Sequence, residues 1–229
     1  MRLTNAFLVI VDISGYTSFI TERTVSLLHA EQIITDLIEA VIDQARHPLT
    51  LNKLEGDAAM LYGECIPGDV EAARDVFAQV KAFFPAFANR LAQQRAQRAH
   101  CVCDACTRID HLALKAFVHV GEIAIKQVRQ FEELAGENVI LVHRLLKNHV
   151  PSREYVLMTE AARAAAQIDG GLLQSHLEDC EGVGEIALWL IDPGAIPFEL
   201  ATREVVAATA GIASAAEVER SPVFRHLPA

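Results

Sequence analysis

The sequence predicts an α+β domain, built on an antiparallel or mixed sheet with helices on one face. Three observations carry that reading. Residues 6–13 (AFLVIVDI) are an almost unbroken apolar run ending at an aspartate and Ser-Gly, the signature of a buried central strand leaving a sheet. Two short β-like runs, 50–54 and 58–62, are joined by Glu55-Gly56-Asp57, a turn tripeptide that makes a hairpin with an aspartate at its tip. Between such strands lie segments whose apolar residues recur at helical spacing, so strands both pair as hairpins and alternate with helices, as in ferredoxin-like folds.

The elements follow in order. After the first strand, Leu27, Ile34, Leu37, Ile38, Val41 and Ala45 define one helical face, which His47-Pro48 ends. Residues 69–98 lack glycine and carry a stripe through Val70, Ala73, Phe77, Val80 and Phe84; a long helix is expected in spite of Pro85. The phenylalanine stripe, Phe87 included, reads as core. The Cys-rich stretch 100–110 reads as a loop. Residues 112–120 and 122–128 read as a second hairpin turning at Gly121, and a helix is expected after Gly136. A strand at 155–158, a helix at 159–166 capped by Thr159 and a last strand at 185–191 complete the set. Residues 1–192 are therefore expected to form one domain, and 193–229 a tail or one loosely docked helix.

Composition narrows the function. Hydrophobic residues make up 52% and charged residues 22%, a globular balance. The formal charge of −10 opposes a dedicated nucleic-acid or anionic-membrane binder, since both need a basic surface. No run approaches the ~20 apolar residues of a membrane span, and an aspartate interrupts the N-terminal apolar stretch where a signal peptide would need it whole, so a cytoplasmic location is expected.

Two groups of residues point to chemistry. Asp12 stands where an apolar strand stops, and Asp57 at the tip of the next hairpin. If those strands are neighbours, both carboxylates meet at one sheet edge and can hold a hard divalent cation; otherwise Asp12 is a helix cap and Asp57 a turn residue. Cys101, Cys103 and Cys106 offer three thiolates flanked by His100 and His111, either of which would complete a structural zinc site, with Cys65 or Cys180 as alternatives. The competing reading is three reduced thiols in a loop. His29, His119, His143 and His149 receive no catalytic role.

Four motifs together resemble the class III adenylate and guanylate cyclase catalytic domains. Asp12-Ile-Ser-Gly-Tyr-Thr17 is similar to that family's opening motif, and Lys53-Leu-Glu-Gly-Asp57 to its Lys-x-x-Gly-Asp hairpin. His119-Val-Gly121 is similar to its strand-end His-x-Gly, and the segment from Gly136 to Arg144 to its Gly-Asp-x-Val-Asn-x-x-x-Arg helix. The order and intervals match across most of residues 6–191. The nearest subgroup is bacterial cyclase-like proteins, some with clustered cysteines before the fourth strand.

The resemblance implies a homodimer that converts ATP, or another purine nucleoside triphosphate, to a cyclic nucleotide and pyrophosphate with Mg²⁺ or Mn²⁺. It implies metal ligation by Asp12, the Ile13 carbonyl and Asp57, base recognition by Lys53 and Glu133, and charge stabilisation by Arg144. Lys115 stands where cyclases often carry Arg, keeping the charge but losing the bidentate fork. The main departure is Ile140, at the family's Asn position, where an apolar side chain forfeits a contact typically worth about 2.7–4 kcal/mol in the transition state. That departure leaves a second reading open, a catalytically degenerate homologue acting as a nucleotide-binding or signalling module.

Overall fold

The structure is a computed structural model, and residues 1–21 and 27–200 are described. Strand β1 (Arg2–Ser14) is apolar from Ala6 to Val11, where both of its faces are covered. Phe7, Val9, Val11 and Ile13 enter one core, and Ala6, Leu8 and Ile10 enter a second core on the opposite side. Period-2 alternation thus feeds two layers at once, which is why the run shows no polar face.

The first core is roofed by α2 (Leu27–Ile42), α3 (Val70–Gln97) and α6 (Glu160–Ala166). The fully buried Phe77 and Phe83 and the nearly buried Phe84 and Phe87 bear out the core reading of the phenylalanine stripe. Asp69 caps α3 by accepting from the Ala72 amide at 3.0 Å, and the helix runs through Pro85. The second core is closed by α5 (Glu137–Arg144) through Val139 and Val142, together with Leu145 just beyond it. Helices therefore flank both faces of the sheet, not one face as the sequence implied, because β1 feeds apolar side chains to both sides.

Hairpin β2 (Thr50–Glu55) and β3 (Ala58–Glu64) turns at Gly56-Asp57 as the sequence implies, and β3 pairs antiparallel with β1. The second hairpin differs from the expectation. Strand β4 (Ala113–Val128) continues straight through Gly121, turns at Arg129-Gln130 and returns as β5 (Phe131–Ala135). Gly121 serves close approach instead of a turn: a Cβ there would lie 2.5 and 2.6 Å from the Asn138 amide atoms. Strand β6 (Tyr155–Thr159) runs parallel to β4, and β8 (Gly184–Ile191) pairs with it antiparallel. An unanticipated strand, β7 (Gln174–Cys180), forms the edge. The order is β2-β3-β1-β4-β6-β8-β7, a mixed sheet.

Two smaller expectations change. The Cys-rich stretch is not an open loop but contains α4 (Asp104–Thr107) and a 3₁₀ turn at Ile109–His111, seated by buried Ala105, Cys106 and Ile109. Beyond β8, Ile196 is buried and its carbonyl accepts from Lys81 Nζ at 3.0 Å, while Arg74 lies over the Phe198 ring. Of the tail or docked helix expected at 193–229, residues 193–200 begin with a 3₁₀ turn at Pro193–Ala195, and 201–229 lie outside the described residues. No helix among the described residues is long and apolar enough to cross a membrane.

Candidate active site

The β1–β3 and β1–β4 registers bring together three charged side chains that are distant in sequence. Asp12 sits opposite Ala58 on one side and Lys115 on the other, and the Ile13 amide donates to the Asp57 carbonyl at 3.2 Å. The end of β1 is thereby tied to the hairpin tip. Lys115 Nζ lies 2.9 Å from Asp12 Oδ2, with both side chains mostly buried. Asp57 is raised to about 6, first by burial and then by the negative charge of Asp12, and Lys115 offsets only part of this. Two carboxylates that repel one another in a partly desolvated corner are a donor set suited to a hard divalent cation, and their oxygen chemistry fits Mg²⁺ or Mn²⁺.

Two tyrosines border this corner. Tyr16 is raised by burial and by Glu31 and Asp57, and Tyr155 is pushed up to about 12 chiefly by burial, so both phenols stay neutral. Neither was singled out from sequence. Tyr16 is the aromatic residue of the Asp12–Thr17 motif, and Tyr155 opens the strand expected at 155–158, but the sequence assigned neither a role.

The second group of motif residues meets at α5. A cleft of about 480 Å³ is lined by Lys53 and Glu55 from β2 and by Ile140, His143 and Arg144 from α5. Lys53 is held by Glu55 at 2.6 Å, and Arg144 by Glu181 at 3.0 Å. Burial pushes the Glu55 carboxyl up, but the hydrogen bond from Lys53 and the nearby His143 outweigh it and hold the group below its usual range. His143 Nδ1 donates to the Val139 carbonyl at 2.7 Å, and its buried Nε2 stands 3.4 Å from Glu55 Oε2, out of line for a hydrogen bond. Ile140 projects 56% exposed beside them.

Glu133 does not line this cleft. Its neighbour Leu134 is buried on the α5 side opposite Ile125, so the pleat turns Glu133, opposite Lys126, the other way. The β5 carboxylate that meets the β2–β3 hairpin is Glu132, which accepts from the Tyr62 hydroxyl, while its backbone carbonyl accepts from Asn52 Nδ2 at 3.3 Å.

A buried polar chain fixes the start of α5. Asn138 Nδ2 donates to the Glu122 carbonyl, so its Oδ1 is the acceptor for His119 Nε2 at 2.8 Å, and His119 Nδ1 takes the Thr159 hydroxyl at 2.9 Å. The His119-Val-Gly121 motif is in this molecule a docking device: glycine admits the Asn138 amide and histidine anchors it. Burial pulls His119 below the usual imidazole value, which keeps the ring neutral.

Cys101, Cys103 and Cys106 converge as expected, but neither His100 nor His111 joins them, nor do Cys65 and Cys180. The histidine is His29, from the first turn of α2, with Nδ1 3.5–3.8 Å from the three sulfurs. Separation by more than seventy positions hid it from any reading of local spacing.

Comparison with known proteins agrees with this architecture. Residues 34–155 match the family model described as "Protein of unknown function (DUF2652)". An uncharacterised protein of Mycobacterium tuberculosis, Rv2561/Rv2562, is 36% identical over 174 residues, covering 72% of this chain and 78% of that one. Among solved structures, the adenylyl cyclase CyaB from P. aeruginosa aligns with a TM-score of 0.63 at 14% identity, over 83% of this chain and 95% of that one. The guanylyl cyclase Cya2 aligns with a TM-score of 0.64 at 13% identity, over 87% and 98%. At such identities the likeness establishes a shared fold. The chain belongs to the DUF2652 family, and its domain has the fold of the adenylyl and guanylyl cyclase domains.

Proposed function

We propose that this protein binds a purine nucleoside triphosphate with Mg²⁺ or Mn²⁺ and converts it slowly to the cyclic nucleotide and pyrophosphate, as a homodimer. The observation that carries this reading is the meeting of Asp12 and Asp57 at the end of β1, close enough that one charge raises the other. A bound divalent cation would lower the pKa of the ribose hydroxyl and neutralise phosphate charge. Asp12 and Asp57 hold the cation's side of the site, and Lys115 adds positive charge beside them where an anionic triphosphate would lie. Lys53 and Arg144, now paired with Glu55 and Glu181, exchange those partners for the base and the phosphates. Glu133 is the base-reading carboxylate implied by resemblance; the side of β5 it occupies makes Glu132 its competitor for that role. Exposed Leu54, Phe131 and Ile140, at 57%, 60% and 56%, lie on β2, β5 and α5 and give a second copy apolar surface to cover.

A second reading, a nucleotide-binding module without turnover, is favoured by Ile140, which presents no polar group to the cleft. Incubating purified protein with ATP or GTP and Mn²⁺ or Mg²⁺, followed by chromatography of the products, separates the two. Cyclic nucleotide that disappears in Asp57→Ala supports the enzyme; binding without product supports the module.

A further inference from the structure

Hydrogen bonding does not account for the way His29 and the three thiols converge. His29 Nδ1 stands 3.7 Å from Cys101 Sγ, 3.5 Å from Cys103 Sγ and 3.8 Å from Cys106 Sγ, and the Cys101 and Cys103 sulfurs are 3.5 Å apart. All four ligand atoms lie within 4.8 Å of one another. One ring nitrogen cannot engage three thiols in line at once. A tetrahedral metal can: Zn–S bonds of about 2.3 Å and a Zn–N bond of about 2.0–2.1 Å separate sulfurs by roughly 3.8 Å, and sulfur from nitrogen by roughly 3.6 Å. The three sulfur–nitrogen spacings and the Cys101–Cys103 spacing lie within about 0.3 Å of those tetrahedral edges.

We propose that His29, Cys101, Cys103 and Cys106 form a zinc site that fastens the first turn of α2 to the segment between α3 and β4. Four protein ligands leave no open position, the arrangement of a structural site, and three thiolates with an imidazole select zinc over the hard cations suited to Asp12 and Asp57. The site would tie the first turn of α2 to three points beyond α3: Cys101 follows α3, Cys103 precedes α4 and Cys106 lies within it. It also bears on the end of β1. The carbonyl of His111, at the end of the same segment, accepts from the Arg153 guanidinium and lies 2.8 Å from where a Cβ on Gly15 would stand. Ser14 Oγ donates to the Arg153 carbonyl at 2.9 Å. The segment is thus set against Gly15, three residues past Asp12, and Arg153 links its His111 carbonyl to Ser14. The proposal does not depend on nucleotide chemistry.

The test is elemental analysis of the untagged full chain, purified under reducing conditions, with Co²⁺ substitution as the spectroscopic counterpart. The expected result is about one zinc per chain, lowered at least about tenfold in Cys103→Ser and in His29→Ala but unchanged in Cys65→Ser, whose thiol lies outside the cluster. The Co²⁺ form should show thiolate charge-transfer and tetrahedral ligand-field bands. If the loss-of-ligand variants fail to fold, His29→Cys decides the matter: it should keep one metal with shifted cobalt bands, because a fourth thiolate can take the vacated position. Wild-type protein that holds less than about a tenth of a zinc per chain when zinc is offered would overturn the proposal. So would a disulfide among the three cysteines in freshly purified protein, or undiminished zinc in His29→Ala.

Discussion

The end of β1 and the α5 cleft hold the two halves of the motif set, and they differ in what surrounds their charges. At the first, Asp57 is raised to about 6 by burial and then by the charge of Asp12, and the one lysine there, Lys115, is paired with Asp12. At the second, Lys53 and Arg144 are each neutralised by their own glutamate, and the position facing them is the apolar Ile140. In one region two carboxylates share a single lysine; in the other each cation has its own carboxylate. A site can therefore keep its capacity to bind charge at one end while its capacity to stabilise a transition state at the other has diminished.

Breaking the first region should have the largest effect. Asp12→Ala or Asp57→Ala is expected to lower any divalent-dependent product formation by about 10²–10³, measured as cyclic nucleotide formed per unit time, with the fold intact by circular dichroism. An effect below about threefold would detach the carboxylates from the chemistry.

The docking of α5 comes next. Gly121→Ala places a methyl group against the Asn138 amide and should destabilise the domain by about 1–3 kcal/mol in urea titration, with Asn138→Ala in the same chain recovering much of that cost by clearing the space. An undisturbed midpoint in Gly121→Ala would mean that the close approach does not fix the helix.

Sharpening the second region should give a smaller gain. Ile140→Asn should raise turnover about tenfold, equivalent to ~1.4 kcal/mol, with little change in nucleotide affinity, because a contact made only in the transition state acts on kcat. Arg144→Ala should cancel the gain. If Ile140→Asn folds, dimerises and makes no product, the module reading takes over.

The smallest effect is a pH dependence. Burial holds the folded-state value of His119 below its unfolded value of 6.5, so between the two the unfolded chain binds more protons than the folded one. Stability is then fully present above 6.5 and declines as pH falls below it. Replacing His119 by Gln should flatten that slope of the urea midpoint, at the expense of some stability at neutral pH; an unchanged slope would assign it to another group.

Local pattern revealed those parts of the molecule whose physics is local. The β1 run, the Glu55-Gly56-Asp57 turn and the Thr159 cap each carry their cause within a few residues, and the structure agrees. Gly121 misled because a glycine in a strand signals either a turn or a close approach, and only the position of Asn138 decides which. Strand β7 was hidden because its burial runs against hydropathy: Leu177 is exposed, whereas Glu178 is buried and held by the His149 amide and the imidazoles of His149 and His176. His29 was passed over as a metal ligand for a related reason, since its partners arrive from a segment more than seventy residues away. The orientation of Glu133 depends on the register of a hairpin whose turn the sequence had placed elsewhere.

The proposed function requires Asp12 and Asp57 to hold a cation–nucleotide complex. Calorimetric titration of the full chain with ATP and with GTP, in Mn²⁺ and in EDTA, compared with the Asp12→Ala/Asp57→Ala double variant, tests it most directly. Saturable binding by the wild type in Mn²⁺, lost in EDTA and lost in the double variant, is the expected result. Equal binding by the two proteins, or binding indifferent to the cation, would contradict it.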